Sequence, residues 1–321
     1  MNRRNFLKTT SALGLATFAS PLFAKDAFTI YGAPALPSVT IGTAALMGEL
    51  GKEADVSLKI WRNPDQLRAG VASGEFKVMM SPSNVGVNLR NQGANVGLVN
   101  ILTSGLNALV TKAPLARLED LYGKKLVMPF KNDLPDIVLR ALFKKLGLDI
   151  SRVDITYTAT PPETMASFLS MDFDAAILLE PLTSACLLKG KKIGVAVERA
   201  EVDMLALWGE AFGLKPFIPQ AGIIADVDFY RANEAKFETF NNDLKNALEW
   251  MKKNPESAGE IGSNYLPAPA KAIAMSISKA NLVVMKPSQI REELAKFYEI
   301  VLDLNPRLLG GKMPDKDFYL C

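Results

Sequence analysis

Ala69-Gly70-Val71-Ala72-Ser73-Gly74-Glu75-Phe76 leads into the apolar run Val78-Met79-Met80, and 97 positions later Ala166-Ser167-Phe168-Leu169-Ser170-Met171-Asp172-Phe173 leads into Ala175-Ala176-Ile177-Leu178-Leu179. In each copy a helix end, an acid and a phenylalanine precede a short strand, and a recurrence of this kind predicts two similar lobes. Around the two copies, further short β-branched runs alternate with helical patterns. The strand candidates are Phe28 to Tyr31, Val56 to Trp61, Val78 to Ser81, Val96 to Leu102, Leu126 to Met128, Val153 to Tyr157 and Ala175 to Leu179. Alternation of this type predicts an α/β fold. Between 134 and 146 the spacing puts Ile137, Val138, Ala141, Leu142 and Leu146 on one helical face. Phe237, Phe240, Leu244, Leu248 and Met251 mark a longer amphipathic helix, and Ile290, Leu294, Phe297 and Val301 a last one from about Gln289 to Leu302. Prolines at 255, 267, 269, 287 and 306 punctuate a C-terminal third made mainly of helices.

Composition removes much chemistry. The 321 residues contain no histidine and two cysteines, Cys186 and Cys321. Ser-His-Asp and Cys-His catalysis, His-ligated metals and four-thiolate iron-sulfur clusters cannot be built from this chain, so no metal or cofactor is expected. A pairing of Cys186 with Cys321 stays open, against the simpler expectation of a buried Cys186 and an idle Cys321.

At the start, Arg3, Arg4, Asn5, Phe6, Leu7 and Lys8 precede an apolar stretch from Ala12 to Phe23. About a dozen apolar residues fall short of the roughly 20 of a membrane-spanning helix. This is a twin-arginine-type export signal over residues 1–24, with cleavage expected after Ala24 and a periplasmic destination. Asn2 stands where such signals usually carry Ser or Thr, which leaves the general secretory route open. Removing it leaves 34 basic against 34 acidic side chains. A mature chain without net charge is not built to hold nucleic acid.

In open α/β sheets ligands collect where strands end and helices begin, because free backbone N–H groups meet there. The turns that fit are Gly32 to Ser38, Ser81 to Asn84, Pro129 to Asp133, Thr158 to Pro162 and Glu180-Pro181. Ser38, Ser83, Asn84 and Asp133 also read as ordinary helix caps. Glu180 follows a wholly apolar strand, so its carboxylate needs either a ligand or a structural ion pair with a Lys or Arg. Trp61 and Asn63 could supply a flat surface and an amide to the same cleft.

The order of these pieces resembles the nitrate, sulfonate, taurine and thiamine-pyrimidine-precursor group of type II periplasmic substrate-binding proteins of ABC transporters. The features that carry the resemblance are the Gly-Ala-Pro turn after the opening strand, the Gly74-Glu75-Phe76 approach to Ser81-Pro82-Ser83, the stretch Leu118-Glu119-Asp120-Leu121-Tyr122-Gly123-Lys124-Lys125, and Asp172 to Pro181. The resemblance implies two lobes, each a mixed sheet flanked by helices, with the ligand cleft between them. Lobe one would take residues 25–112 and 216–321, and lobe two residues 113–215. It implies a monomer that closes on a small-molecule ligand and then docks on ABC permease subunits. The pocket would be lined by Pro34, Leu36, Pro37 and Ser38, by Trp61, Ser83, Asn84 and Asn107, by Lys131, Asn132 and Asp133, and by Thr160 and Glu180. The expected ligand is a small organic anion or vitamin precursor, a sulfonate, nitrate or taurine-like anion first among them; such an anion would use Ser38, Ser83, Asn84 and Lys131, whereas an amine-bearing ring would use Glu180 or Asp133 with Trp61 or Tyr31. The fungal relatives that make the thiamine pyrimidine rely on a pocket histidine, which this chain lacks. Two other readings stay open: an exported enzyme using Glu180 and Asp133 as acid and base, and a two-lobed sensor feeding a receptor.

Overall fold

A computed structural model describes residues 25–320. The export signal expected at residues 1–24 and the thiol of Cys321 lie outside the described residues. Eleven strands form two sheets. They are β1 (Asp26–Gly32), β2 (Ala54–Ile60), β3 (Val78–Pro82), β4 (Val96–Thr103), β5 (Asn107–Thr111), β6 (Lys125–Pro129), β7 (Asp154–Thr158), β8 (Ala175–Leu179), β9 (Glu198–Arg199), β10 (Ala221–Asp226) and β11 (Leu282–Met285). The helices are α1 (Pro37–Met47), α2 (Leu50–Glu53), α3 (Pro64–Ala72), α4 (Ser83–Asn91), α5 (Leu134–Lys145), α6 (Pro161–Ser170), α7 (Leu182–Ile193), α8 (Met204–Phe212), α9 (Val227–Ala232), α10 (Glu234–Lys253), α11 (Pro255–Ser263), α12 (Ala270–Ser276) and α13 (Arg291–Leu304).

The first sheet runs β11-β4-β10-β3-β1-β2 and the second β7-β6-β8-β5-β9. From the outer parallel strand inward, β2-β1-β3-β10-β4 and β7-β6-β8-β5-β9 are the same order. The first three strands of each are parallel, and β10 or β5 enters antiparallel. The recurrent sequences fall on equivalent pieces, the end of α3 before β3 and the end of α6 before β8. In each sheet the antiparallel strand is the first one formed after the chain crosses from the other. The crossings run from Thr103 to Asn107 and from Arg199 to Ala221, so β5 hydrogen-bonds into the second sheet although it precedes residue 112.

The helix patterns become core for the reason their spacing gives: one face of each helix meets a sheet. On α10, Phe237, Phe240, Leu244, Leu248 and Met251 are all buried, and Phe237 and Phe240 pack edge-on against Phe28 of β1 with ring centroids 5.3 and 5.7 Å away. Each such side chain contributes about 2 kcal/mol through area removed from water. Ile290, Leu294, Phe297 and Val301 are likewise buried. Leu146 departs from the expected face and is 41% exposed, because α5 ends at Lys145 and Gly147 turns the chain away at φ +69°.

Strand β4 is buried along its whole length, yet it carries Asn100. The Asn100 amide donates to Asn241 Oδ1 at 2.6 Å, and its Oδ1 accepts from the Ile223 N–H at 3.1 Å, so the polar group costs little. The pairing of β10 with β4 slips at two points, next to Gly222. There a Cβ would stand 1.8 Å from the Asn100 carbonyl oxygen. Only a residue without a side chain permits this approach. Gly222→Ala is therefore expected to destabilise the protein by about 3 kcal/mol or more through backbone displacement. Chemical denaturation checks it: a loss below about 1 kcal/mol would show that β10 and β4 can separate without cost.

Candidate functional site

The loops that follow β1, β2 and β3 face those that follow β6, β7 and β8 across a cleft. The facing walls enclose a cavity of about 50 Å³. One wall carries Ala33, Pro34, Ala35, Trp61, Pro64, Met80 and Pro82, and the other Phe130, Asp133, Leu134, Pro135, Pro161 and Leu179, with Leu106, Gln220 and Ala221 of the two crossings between them. Volume on this scale holds about four water molecules, so the enclosed space suits a molecule of few non-hydrogen atoms.

The cavity is walled by proline because helices begin around it. Pro37, Pro64, Pro135 and Pro161 lie in the first turns of α1, α3, α5 and α6, where a fixed φ is already helical and no N–H is needed. Pro64, Pro135 and Pro161 line the cavity, together with Pro34 and Pro82. The usual donors of a helix N-terminus are thus partly removed. Several of those that remain are engaged. The Ala35 N–H donates to the Ala33 carbonyl, Phe130 N–H to Thr158, Asp133 N–H to Phe130 and Leu106 N–H to Gln220 Oε1. The Trp61 indole donates to the Met80 carbonyl at 3.0 Å.

Asp133 is the one charged residue of the lining. It ends the turn before α5, accepts the Leu134 N–H at 2.9 Å and is 4% exposed. Burial pushes its carboxyl up to about 6, against the pull of Arg68, the Leu134 N–H and the Asn84 amide. Asn84 opens α4 on the opposite wall and is buried, and its Oδ1 has no hydrogen-bond partner. Phe130 holds a left-handed conformation at φ +62°, a strained backbone for an aromatic residue, and this turns its ring toward the cavity.

The thirteen residues expected to line the pocket are distributed in three ways. Pro34, Trp61 and Asp133 line the cavity, and Asn84 lies against Asp133. Leu36, Pro37, Ser38, Ser83 and Thr160 do not line it but belong to the turns around it: the Leu36 N–H donates across the cleft to the Glu180 carbonyl at 3.0 Å, Ser38 Oγ to the Ala33 carbonyl at 2.6 Å and Ser83 Oγ to the Pro219 carbonyl at 2.5 Å, while Thr160 Oγ1 accepts the Glu163 N–H at 3.4 Å as the cap of α6. Asn107, Glu180, Lys131 and Asn132 fall elsewhere. Asn107 and Glu180 line a depression at the crossings with Arg199 and Lys279, and Lys131 and Asn132 line a crevice between α5 and Asn305. Lys131 there sits over the Tyr157 ring at 5.6 Å. Of the two partners left open for Glu180, the structure supplies an ion pair: Arg199 contacts Oε1, and Ser184 donates to both carboxylate oxygens. The glutamate is 1% exposed and the peptide to Pro181 is cis. Cys186 is buried in α7, and burial pushes its thiol up to about 12, which leaves it inert.

Two outcomes follow from the buried carboxylates. Asp133 ionises above its unfolded range, so the stability it gives the ligand-free protein is complete below pH 3.8 and is lost as pH rises through about 6, a cost on the order of 3 kcal/mol. Asp133→Asn keeps the cap and removes the charge. It should melt a few degrees higher than the parent at pH 8 and with it at pH 4; a lower melting point at pH 8 would show the charge to be compensated. Arg199→Ala leaves Glu180 buried without its cation and is expected to cost about 3–5 kcal/mol, measured by denaturant unfolding. Parity with the parent would show that Ser184 alone satisfies Glu180.

Comparison with known proteins places this geometry. Among solved structures, an ABC transporter protein from Parabacteroides distasonis superposes with a TM-score of 0.73 at 17% identity, covering 92% of this chain and 99% of that one. The periplasmic aliphatic sulphonate binding protein SsuA from Escherichia coli gives 0.73 at 17% identity over 93% and 92% of the two chains. The periplasmic nitrate-binding protein NrtA from Synechocystis PCC 6803 gives 0.62 at 14% identity over 79% and 70%. These TM-scores, over most of each chain, establish the shared two-lobed α/β fold. No curated protein sequence matches the chain. Residues 51–258, well over half the sequence, match the family described as NMT1/THI5 like. That segment holds most of the cavity wall and both crossings, and the chain belongs to the NMT1/THI5 like family.

Proposed function

We propose that the chain is the solute-binding component of an ABC importer, exported to the periplasm, which encloses one small molecule between its lobes and presents it to permease subunits. The observation that carries this reading is the cavity whose walls come half from each sheet, since a molecule held there favours closure of the lobes. The solved neighbours are sulphonate- and nitrate-binding proteins of the periplasm, and none of the helices in residues 25–320 is long and apolar enough to cross a membrane. Ligand contact is assigned to Pro34, Trp61, Phe130 and Asp133 with Asn84 behind them, and the lobe division to residues 25–103 with 221–320 against 107–199. Binding without turnover fits the carboxylates better than catalysis does. Glu180 is held by Arg199 outside the cavity that Asp133 lines, so the acid and base of a two-carboxylate enzyme do not face one substrate.

The reading predicts saturable binding of one molecule per chain with no chemical change. Native mass spectrometry of protein taken from its own periplasm should retain a ligand of defined mass. Adding that ligand at about 100 times its Kd should stabilise the fold by about 2.7 kcal/mol. Solution scattering should show a smaller radius of gyration with ligand than without. Turnover of the retained molecule, or a radius unaffected by it, would remove the proposal.

A further inference from the structure

We infer that the cavity recognises a compact, largely apolar amine or amidine, whose N–H groups are held by the Asp133 carboxylate. This rests on the solute-binding reading and names the ligand class for the same cavity. Five of the sixteen lining residues are proline and supply no N–H. The backbone donors of the turns at Ala35, Leu106, Phe130 and Asp133 are already bonded within the protein, and so is the Trp61 indole. Gln220 accepts from the Leu106 N–H and donates to Asn107 Oδ1 at 2.9 Å. An oxyanion entering this space would meet apolar surface, one carboxylate and few free donors, and would lose its hydration without replacement.

Acceptor capacity is what remains. An ionised carboxylate has about four lone-pair sites, and Asp133 uses them on the Leu134 N–H and the Asn84 amide alone. Asn84 Oδ1, buried beside it, has no partner. A ligand N–H satisfies the free sites of the carboxylate, and the Trp61 and Phe130 residues of the lining give a cation a favourable wall. Burial holds Asp133 up to about 6, so a cationic guest also relieves the cost of its charge. The charged groups around it are few. Arg68 of α3 acts on Asp133 from the opposite wall and is itself 3.8 Å from Asp65, and on α5 the next carboxylate, Asp136, is bonded to Arg140, Tyr157 and the Asn132 N–H. Lys131 lies over Tyr157, in the outer crevice.

The test measures binding of propylammonium and acetamidinium, and of methanesulfonate and nitrate, to the unliganded full mature chain by calorimetry and thermal shift at pH 5 and pH 7. The cations should bind, and about tenfold more weakly at pH 5 than at pH 7, because Asp133 must lose its proton to receive them. Asp133→Asn should abolish that pH dependence and weaken the cations at least about tenfold, as expected for loss of a charge-assisted bond. Binding of the anions alone, tighter at pH 5, overturns the inference and leaves the solute-binding reading standing. Binding of neither class, with no ligand retained in native mass spectrometry, overturns both. Cation binding that is indifferent to pH in the parent chain would place the ligand away from Asp133 and also overturn it.

Discussion

Gln220 fastens together the two stretches of chain that pass between the sheets, and the cleft depends on that joint. Its backbone N–H donates to the Thr103 carbonyl and its side chain bridges the Leu106 N–H and Asn107, while the Ile218 N–H donates to Ser104. The outgoing and returning crossings therefore lie side by side, and Leu106, Gln220 and Ala221 form the floor of the cavity. A short crossing, Thr103 to Asn107, and a longer one that carries α8, bonded to each other beside Gln220, permit rotation of one lobe against the other, which is the geometry of hinge closure. Across the cleft the Leu36 N–H donates to the Glu180 carbonyl, and outside it Lys144 of α5 pairs with Asp303 of α13 at 2.9 Å. A single backbone hydrogen bond and an exposed ion pair are each worth about 1 kcal/mol or less, contacts that can be made and released.

The exchange of antiparallel strands explains why two lobes with the same strand order make one stable body. Strand β5 follows β4 of the first sheet yet pairs in the second, and β10 follows β9 of the second yet pairs in the first. Neither sheet is complete without a strand delivered by a crossing, so the hinge is anchored at both ends in a core. The Asn100 contact with Ile223 and the close approach at Gly222 lie on this delivered strand. The precision of the core is thus concentrated where the hinge begins.

Much of this was legible in the residues. The seven strands read from β-branched runs correspond to β1–β4 and β6–β8, because each is a local apolar run bounded by turn residues. Strands β5, β9, β10 and β11 escaped that reading for a physical reason. Each is two to six residues long and pairs antiparallel with residues far away in sequence, such as Ile223 with Met80, and Gly222 inside β10 reads as a turn. The turns around the site were visible as Pro, Ser and Asn ahead of helices, and Trp61, Pro34 and Asp133 followed from them. What sequence spacing could not give was the direction each side chain takes. Phe130 and Asn132 both hold positive φ, so in three consecutive positions the ring turns to the cavity while Lys131 and Asn132 turn out. Nothing in a phenylalanine signals a left-handed backbone, since the conformation is imposed by the Thr158 and Asp133 contacts that close the turn. Prolines were legible as helix starters, but their joint effect, a cavity with few donors, appears only when five of them face one space.

The placement of Asp133 joins ligand recognition to closure. Apposing the lobes removes the carboxylate from water, which raises its proton affinity and penalises the closed form at neutral pH. In the proposed binding mode, a guest that brings N–H groups to Asp133, the cap of α5, offsets that penalty while Pro34, Trp61 and Pro64 of the other wall close over it. The guest thereby binds the closed arrangement better than the open one, and this differential affinity is the only means by which a ligand shifts such an equilibrium. A wholly apolar pocket of the same shape would close on itself with little penalty and would distinguish bound from free protein poorly. Under the proposed function, the cost of burying one carboxylate is what separates the liganded from the unliganded form.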